Sequence, residues 1–182
     1  MTRPHPSPVR IAAAVLALLG LTACSPAPQP TPSPTPTPLF ASEDEAFAAA
    51  EATYREYNDA LNQVDFATPK TFDAVFALLS GDAEKSTRKS FSEFHAERLQ
   101  SVGAIMFDSF TLVSADPQHG EVRANVCVDV SGVDVLDESG TSITSADRPA
   151  RQPMRVMFVP RPGERTLTIS AMGSTDELSC AR

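Results

Sequence analysis

The chain has 182 residues, room for one folded domain, with 23 acidic against 15 basic residues and a net charge of −8. An acidic surface is a poor partner for nucleic acid, and no basic stripe offsets it: Arg148, Arg151, Arg155, Arg161 and Arg165 are spread among turns and strands as a solvated rim. The N-terminus reads differently from the rest. Arg3 and Arg10 give it a basic start without an acid, and Ile11 to Leu21 is an apolar run of eleven residues. A membrane-spanning helix needs about 20 such residues, so this run matches the apolar region of a secretory signal.

Leu21-Thr22-Ala23-Cys24 follows that run directly. It resembles the lipobox of bacterial lipoproteins, in which the cysteine thiolate forms a thioether with a glyceryl donor and becomes the first residue of the mature protein. The resemblance implies a signal peptide at residues 1–23, acylation of Cys24 and anchoring to the outer face of the cytoplasmic membrane. Burial of each acyl CH₂ contributes about 0.8 kcal/mol, so two or three chains hold a protein there durably. Loss of Arg3 and Arg10 with the signal takes the charge from −8 to −10. With Cys24 assigned to the lipid, Cys127 and Cys180 remain as an even pair. Export favours a disulfide between them, with two free thiols as the alternative.

Residues 24–38 read CSPAPQPTPSPTPTP, seven prolines in fifteen. Nearly every second residue has a fixed φ and no N–H, which excludes helix or sheet and favours extended polyproline. At about 3.1 Å per residue this linker would hold a domain roughly 40–45 Å from the bilayer. Its Thr-Pro and Ser-Pro pairs are also acceptors for O-linked sugars.

The globular domain is expected over 39–182. Ser42 and Glu45 form a capping box, and Glu43 and Asp44 suit the positive end of a helix. Phe47, Ala50, Tyr54, Tyr57, Leu61 and Val64 then recur at helical spacing, predicting about six turns. Thr68-Pro69 starts a second helix, with Phe72, Val75, Phe76 and Leu79 as its stripe and Ser80-Gly81 as its stop. A third helix is expected over 82–100, carrying Phe91, Phe94 and Leu99.

From Gly103 the period changes to two. Strands are predicted at Ile105 to Ser114, Val122 to Val130, Arg155 to Val159 and Thr166 to Ala171, with turns at 116–120, 137–149 and 161–164. In the second strand Val122, Ala124, Val126, Val128 and Val130 form a core face, and Arg123, Asn125, Cys127 and Asp129 a polar one. Val133 and Val135 extend it past a bulge at Gly132. Helices first and an antiparallel meander second define an α+β domain with helices on one sheet face.

That order of elements over 40–182 resembles the NTF2-like (cystatin-like) superfamily, where N-terminal helices pack into a strongly curved sheet. With the lipobox and spacer, the whole chain resembles small exported lipoproteins of Gram-positive bacteria. The resemblance implies a cone-shaped cavity between helices and sheet, with Tyr54, Tyr57, Phe72 and Phe76 as lining candidates. Some relatives use this cavity for isomerase, dehydratase or cyclase chemistry, and others are binding or assembly modules.

Acid–base chemistry needs a titratable group in a dry pocket. The candidates are Tyr54, Tyr57, Asp73, His95 and Asp129. The tyrosines share the apolar stripe, so their rings belong in the core or the cavity with hydroxyls reaching a partner. His95 reads as an exposed helical histidine near Glu97 and Arg98, His119 as a solvated turn residue, and Asp129 points away from the valine face. There is no GxSxG, HExxH, GxxxxGK or GxGxxG, and no histidine pair with metal-ligand spacing, so neither cofactor nor metal is expected. Asp134, Asp137 and Glu138 read as a solvated acidic loop rather than a Ca²⁺ site. The sequence thus favours a non-catalytic, lipid-anchored module that binds an envelope protein or a small apolar ligand. A cavity enzyme on the same fold and a homodimer formed through the open sheet face are the alternatives.

Overall fold

The structure, a computed structural model, describes residues 37–180. The expected signal peptide, Cys24 and the linker up to residue 36 lie outside the described residues.

The first helix, α1 (Glu43–Leu61), begins where the sequence places it. Ser42 Oγ accepts from the Glu45 N–H at 3.1 Å, while the Glu45 carboxylate accepts from the Ala41 N–H at 2.6 Å, one residue ahead of the cap. Of the predicted stripe the helix buries Ala50, Tyr54 and Tyr57 and half-buries Phe47 and Leu61, and it also buries Ala46. It stops a turn earlier than expected, and Val64 falls in the turn beyond it. The reason is a side-chain clamp: Asn62 accepts from the Ile105 N–H at 2.8 Å and donates to its carbonyl at 2.9 Å, and Asn58 donates to the same carbonyl at 3.2 Å.

The second helical segment is shorter than its apolar stripe suggests. A 3₁₀ turn (Pro69–Thr71) leads into α2 (Phe72–Phe76). After a turn at 77–78, Leu79 bridges to the last strand instead: the Ile169 N–H donates to Leu78 O and the Ser80 N–H to Ile169 O, both at 2.9 Å. Ser80 is therefore the N-cap of α3 (Gly81–Ala96) and not the end of α2. Gly81 has φ +56°, and a Cβ there would lie 3.2 Å from Ser170 O.

Six strands follow: β1 (Gln100–Val102), β2 (Met106–Asp116), β3 (Glu121–Asp129), β4 (Asp134–Leu136), β5 (Arg151–Pro160) and β6 (Leu167–Ser174). The main sheet is antiparallel in the order β2-β3-β5-β6, and β1 pairs with β4 in a separate two-stranded sheet. Val133 and Val135 thus do not continue β3. The chain turns at Gly132, where Gly103 (φ +86°) approaches so closely that a Cβ on it would lie 1.8 Å from Gly132 O. Edge strand β2 bends at two register shifts, with Ser109 at φ +54°.

Helices on one face of a curved antiparallel sheet make the domain α+β, as its chain order predicts. The sheet contributes Val122, Ala124, Val126, Val156, Phe158 and Ile169 to the core, all essentially inaccessible. They stand in register, Val122 beside Phe158 and Phe158 beside Ile169.

The outer face of β3 is less open than alternation implies, since Asn125 and Cys127 are also buried. The C-terminal segment crosses them. Cys127 is disulfide-bonded to Cys180, 53 residues on. The Thr175 N–H donates to Pro153 O at 3.1 Å, and Arg155 reaches Thr175 Oγ1 at 3.2 Å and pairs with Glu177. Arg151 donates to Cys180 O at 2.9 Å and forks onto both carboxylate oxygens of Asp108 at 2.7 Å.

Candidate ligand groove on the helical side

Helical spacing builds one aromatic cluster from three segments. Phe72 and Phe76 are i, i+4 on α2, and Phe91 and Phe94 are i, i+3 on α3. Phe66, in the connection after α1, packs edge-on against Phe72, Phe91 and Phe94 at 6.1, 5.4 and 5.1 Å between ring centroids. Phe72 meets Phe91 at 5.0 Å and Phe76 at 6.1 Å.

The solvent side of this cluster is a groove of about 250 Å³ lined by Pro69, Phe72, Phe76, Arg88, Ser92 and His95. Arg88, Ser92 and His95 recur at spacings of four and three, so a single stripe of α3 forms its wall. The Arg88 guanidinium lies 4.0 Å from the centre of the Phe76 ring, in cation–π range. Its edge pairs with Glu84 at 2.8 Å.

His95 is exposed but fixed: Nδ1 lies 2.6 Å from Phe66 O. A carbonyl oxygen only accepts, so Nδ1 holds the proton and Nε2 is the nitrogen left for other partners. His95 also borders a second depression, of about 330 Å³, together with Ala67, Arg98, Leu99, Gln100 and Glu138. Arg98 owes its position to the end of α3. The Arg98 N–H donates to His95 O at 3.1 Å and the Leu99 N–H to Phe94 O at 3.0 Å, the two bonds of a Schellman motif. Arg98 occupies the left-handed position of that motif at φ +55°, where glycine is the usual residue. Its side chain pairs with Glu138.

The remaining candidates are elsewhere. Tyr54 and Tyr57 stand in the core against each other, with Tyr54 also 4.9 Å from Phe107 and 5.6 Å from Phe110. Contrary to expectation, neither hydroxyl has a hydrogen-bond partner among the described residues, and burial raises both pKa values, Tyr57 being pushed up to about 12. Asp73 pairs with Lys70 on the surface, and Asp129 with Arg151 at 3.2 Å. His119 binds Asp116 at 2.7 Å in its turn. The bond raises the imidazole pKa and lowers that of the carboxyl. In the acidic loop each carboxylate is engaged locally: Asp134 accepts from Ser142 Oγ at 2.6 Å, Asp137 from the Ser139 N–H at 2.8 Å, and Glu138 from Arg98. Among the described residues no three His, Cys, Asp or Glu side chains converge as metal ligands.

Of the aromatic residues singled out in the sequence, the structure therefore brings Phe72 and Phe76 to the groove and leaves Tyr54 and Tyr57 in the core. Sequence reasoning missed Arg88 and Arg98. The signal for Arg88 was its spacing of four and seven from Ser92 and His95. For Arg98 there was none, because its conformation depends on where α3 ends.

No protein-family profile and no curated protein matches this chain. Among solved structures, it is similar to a "putative aromatic ring hydroxylase" from Novosphingobium aromaticivorans, at 14% identity over 74% of this chain and 96% of that one, with a TM-score of 0.47. It is also similar to a protein from Catenulispora acidiphila, at 16% identity over 69% of this chain and 87% of that one, with a TM-score of 0.45.

Proposed function

We propose that this protein is a lipid-anchored binding module of the cell envelope. Cys24 carries the acyl chains, the proline-rich linker sets the standoff, and the domain holds a small apolar ligand in the groove over Phe72 and Phe76. The observation that carries the binding reading is the contrast between groove and interior. The groove has the partly exposed Phe76 ring, with buried Phe72 behind it, beside an oriented imidazole, the composition of a ligand site with few, placed polar groups. The interior between helices and sheet is filled by rings and aliphatic side chains. Its buried polar side chains on α1, Thr53 and Asn58, are spent on backbone carbonyls at 2.9 and 3.2 Å. Among the described residues no carboxylate or imidazole is buried, which supports binding over proton-transfer chemistry in a dry cavity.

The test is to purify the full chain from its own envelope, extract it with organic solvent and identify co-purifying small molecules by mass spectrometry. A molecule present with the native protein and depleted from Phe76→Glu is the expected result. The same extract from both proteins would count against the groove as its site.

A further inference from the structure

We propose that the outer face of the sheet carries a second binding site, for an acidic extended peptide, built on Arg155 and Asn125. The chain's own segment Thr175–Cys180 fills it, and a dithiol reductant opens it by cleaving Cys127–Cys180. The site is separate from the groove on the helical side.

Register builds the site. On β3 and β5 Asp129 stands beside Arg151, Cys127 beside Pro153 and Asn125 beside Arg155. Alternation turns all six side chains away from the helices. Asn125 is 6% exposed, and its side-chain oxygen accepts from Arg155 Nε at 3.3 Å. That bond aims the guanidinium and leaves the amide NH₂ as a donor beside it. The Glu177 carboxylate lies where the two converge: Arg155 pairs with it and the Asn125 amide donates to it. Arg155 first, and Asn125 after it, hold the Glu177 carboxyl below its usual range. A guanidinium oriented by a buried amide matches a carboxylate in shape and charge. Arg151, by contrast, is already engaged by Asp108 and Asp129.

The segment lying there is held as an occupant is held. Thr175 to Cys180 contains Asp176 and Glu177 and no base, so its charge complements Arg155. Among the described residues one main-chain hydrogen bond ties it to the sheet, from the Thr175 N–H to Pro153 O at 3.1 Å. The other contacts come from side chains: Arg155 to Thr175 Oγ1 at 3.2 Å, Arg151 Nε to Cys180 O at 2.9 Å, and the two partners of Glu177. The Glu177 side chain is 60% exposed, and exposed ion pairs contribute little. Leu178, its one aliphatic side chain, is half-buried and outside the core cluster. The crosslink is therefore what keeps the segment seated, by holding it at a high effective concentration over the site.

The release step is thiol–disulfide exchange. Cys127 is inaccessible and Cys180 half-buried, so the attack falls on Cys180. A thiolate of the dithiol bonds to Cys180 Sγ, and Cys127 leaves as a thiolate and takes up a proton. The second thiol of the reductant, losing its proton, then displaces Cys180. Two electrons pass to the protein, which gains two thiols, while the reductant closes its own disulfide.

The experiment follows the Asn125 side-chain amide of the intact chain by NMR, before and after reduction with dithiothreitol. The methyl signals of buried Val126 and Val156 report that the core stays folded. A peptide of sequence TDELS, blocked at both ends, is added to both forms. It is expected to shift the Asn125 amide in the reduced protein and, at the same concentration, to leave it unchanged in the oxidised one. The peptide TDQLS is expected to bind the reduced protein at least about tenfold more weakly, a difference of about 1.4 kcal/mol. Binding to both forms alike would overturn the segment's role as a cover, and equal affinities of the two peptides would overturn recognition of the acid. Loss of the valine signals on reduction would make the disulfide a staple of the fold and overturn its role in release. A second arm keeps the disulfide: Glu177→Ala vacates the carboxylate position, and acetate is expected to shift the Asn125 amide in this variant and not in the native chain. An Asn125 amide that responds to neither peptide nor acetate would overturn the site itself.

Discussion

Tyr54 and Tyr57 are the two tyrosines of the chain, and both rings are buried while neither hydroxyl bonds to another described residue; nor is either hydroxyl a fully buried, unpartnered atom. Their place on the core stripe was legible from spacing alone. The missing hydrogen bonds were not, because they depend on what Phe107 and Phe110 bring from β2. Burial raises both pKa values above the ordinary 10.0, to about 12 for Tyr57. A raised pKa means that the stability from these phenols is fully present below the unfolded value. It is lost as pH rises from about 10 towards about 12, where the unfolded chain ionises and the folded one resists. Phenolate absorbance should therefore appear only together with loss of helical circular dichroism, in one cooperative step above pH 10. Tyr57→Phe should change stability at neutral pH by less than about 1 kcal/mol, since no hydrogen bond is lost, and should move the alkaline step upward. Smooth ionisation near pH 10 in a folded protein would contradict this assignment.

Among the elements, α1 and β3 follow their sequence patterns closely, and the segments between them do not. Ser42 caps α1 through its own side chain, a local bond visible in the sequence. The ends of α1 and α2 are decided by distant partners, Ile105 for Asn62 and Ile169 for the residues after α2, whereas α3 ends in its own Schellman motif at Arg98. The C-terminal segment is the clearest case. Without the disulfide, Thr175 to Cys180 would hold to the sheet through Arg151, Arg155, Asn125 and the Pro153 carbonyl. Closing a loop of 53 residues is worth roughly 4 kcal/mol in the chain-entropy model. Cys180→Ser should lower stability by about 2–5 kcal/mol, read as a lower urea midpoint, and should speed amide exchange at Thr175. An unchanged midpoint would show that the crosslink is dispensable.

At the scale of the whole chain, the expectation concerns attachment. No helix among the described residues is long and apolar enough to cross a membrane, and the proposal assigns attachment to Cys24. Cys24→Ala should abolish incorporation of a labelled fatty acid and move the protein out of the membrane fraction, with the domain still folded. Labelling that persists in the variant would remove the anchor from the proposal.

The sequence by itself determined the α+β order of elements, the valine face of β3, the N-terminus of α1 and the pairing of Cys127 with Cys180. Each follows from local periodicity, a local cap or simple arithmetic over few cysteines. Tertiary structure alone decided that Phe76 is partly exposed while Phe72, Tyr54 and Tyr57 are covered, and that Ser80 begins a helix rather than ending one. It also placed Arg88 and His95 along one groove and Arg98 in the neighbouring depression. Those outcomes depend on which segment packs over which, and two apolar stripes of equal period carry no record of which one will be covered.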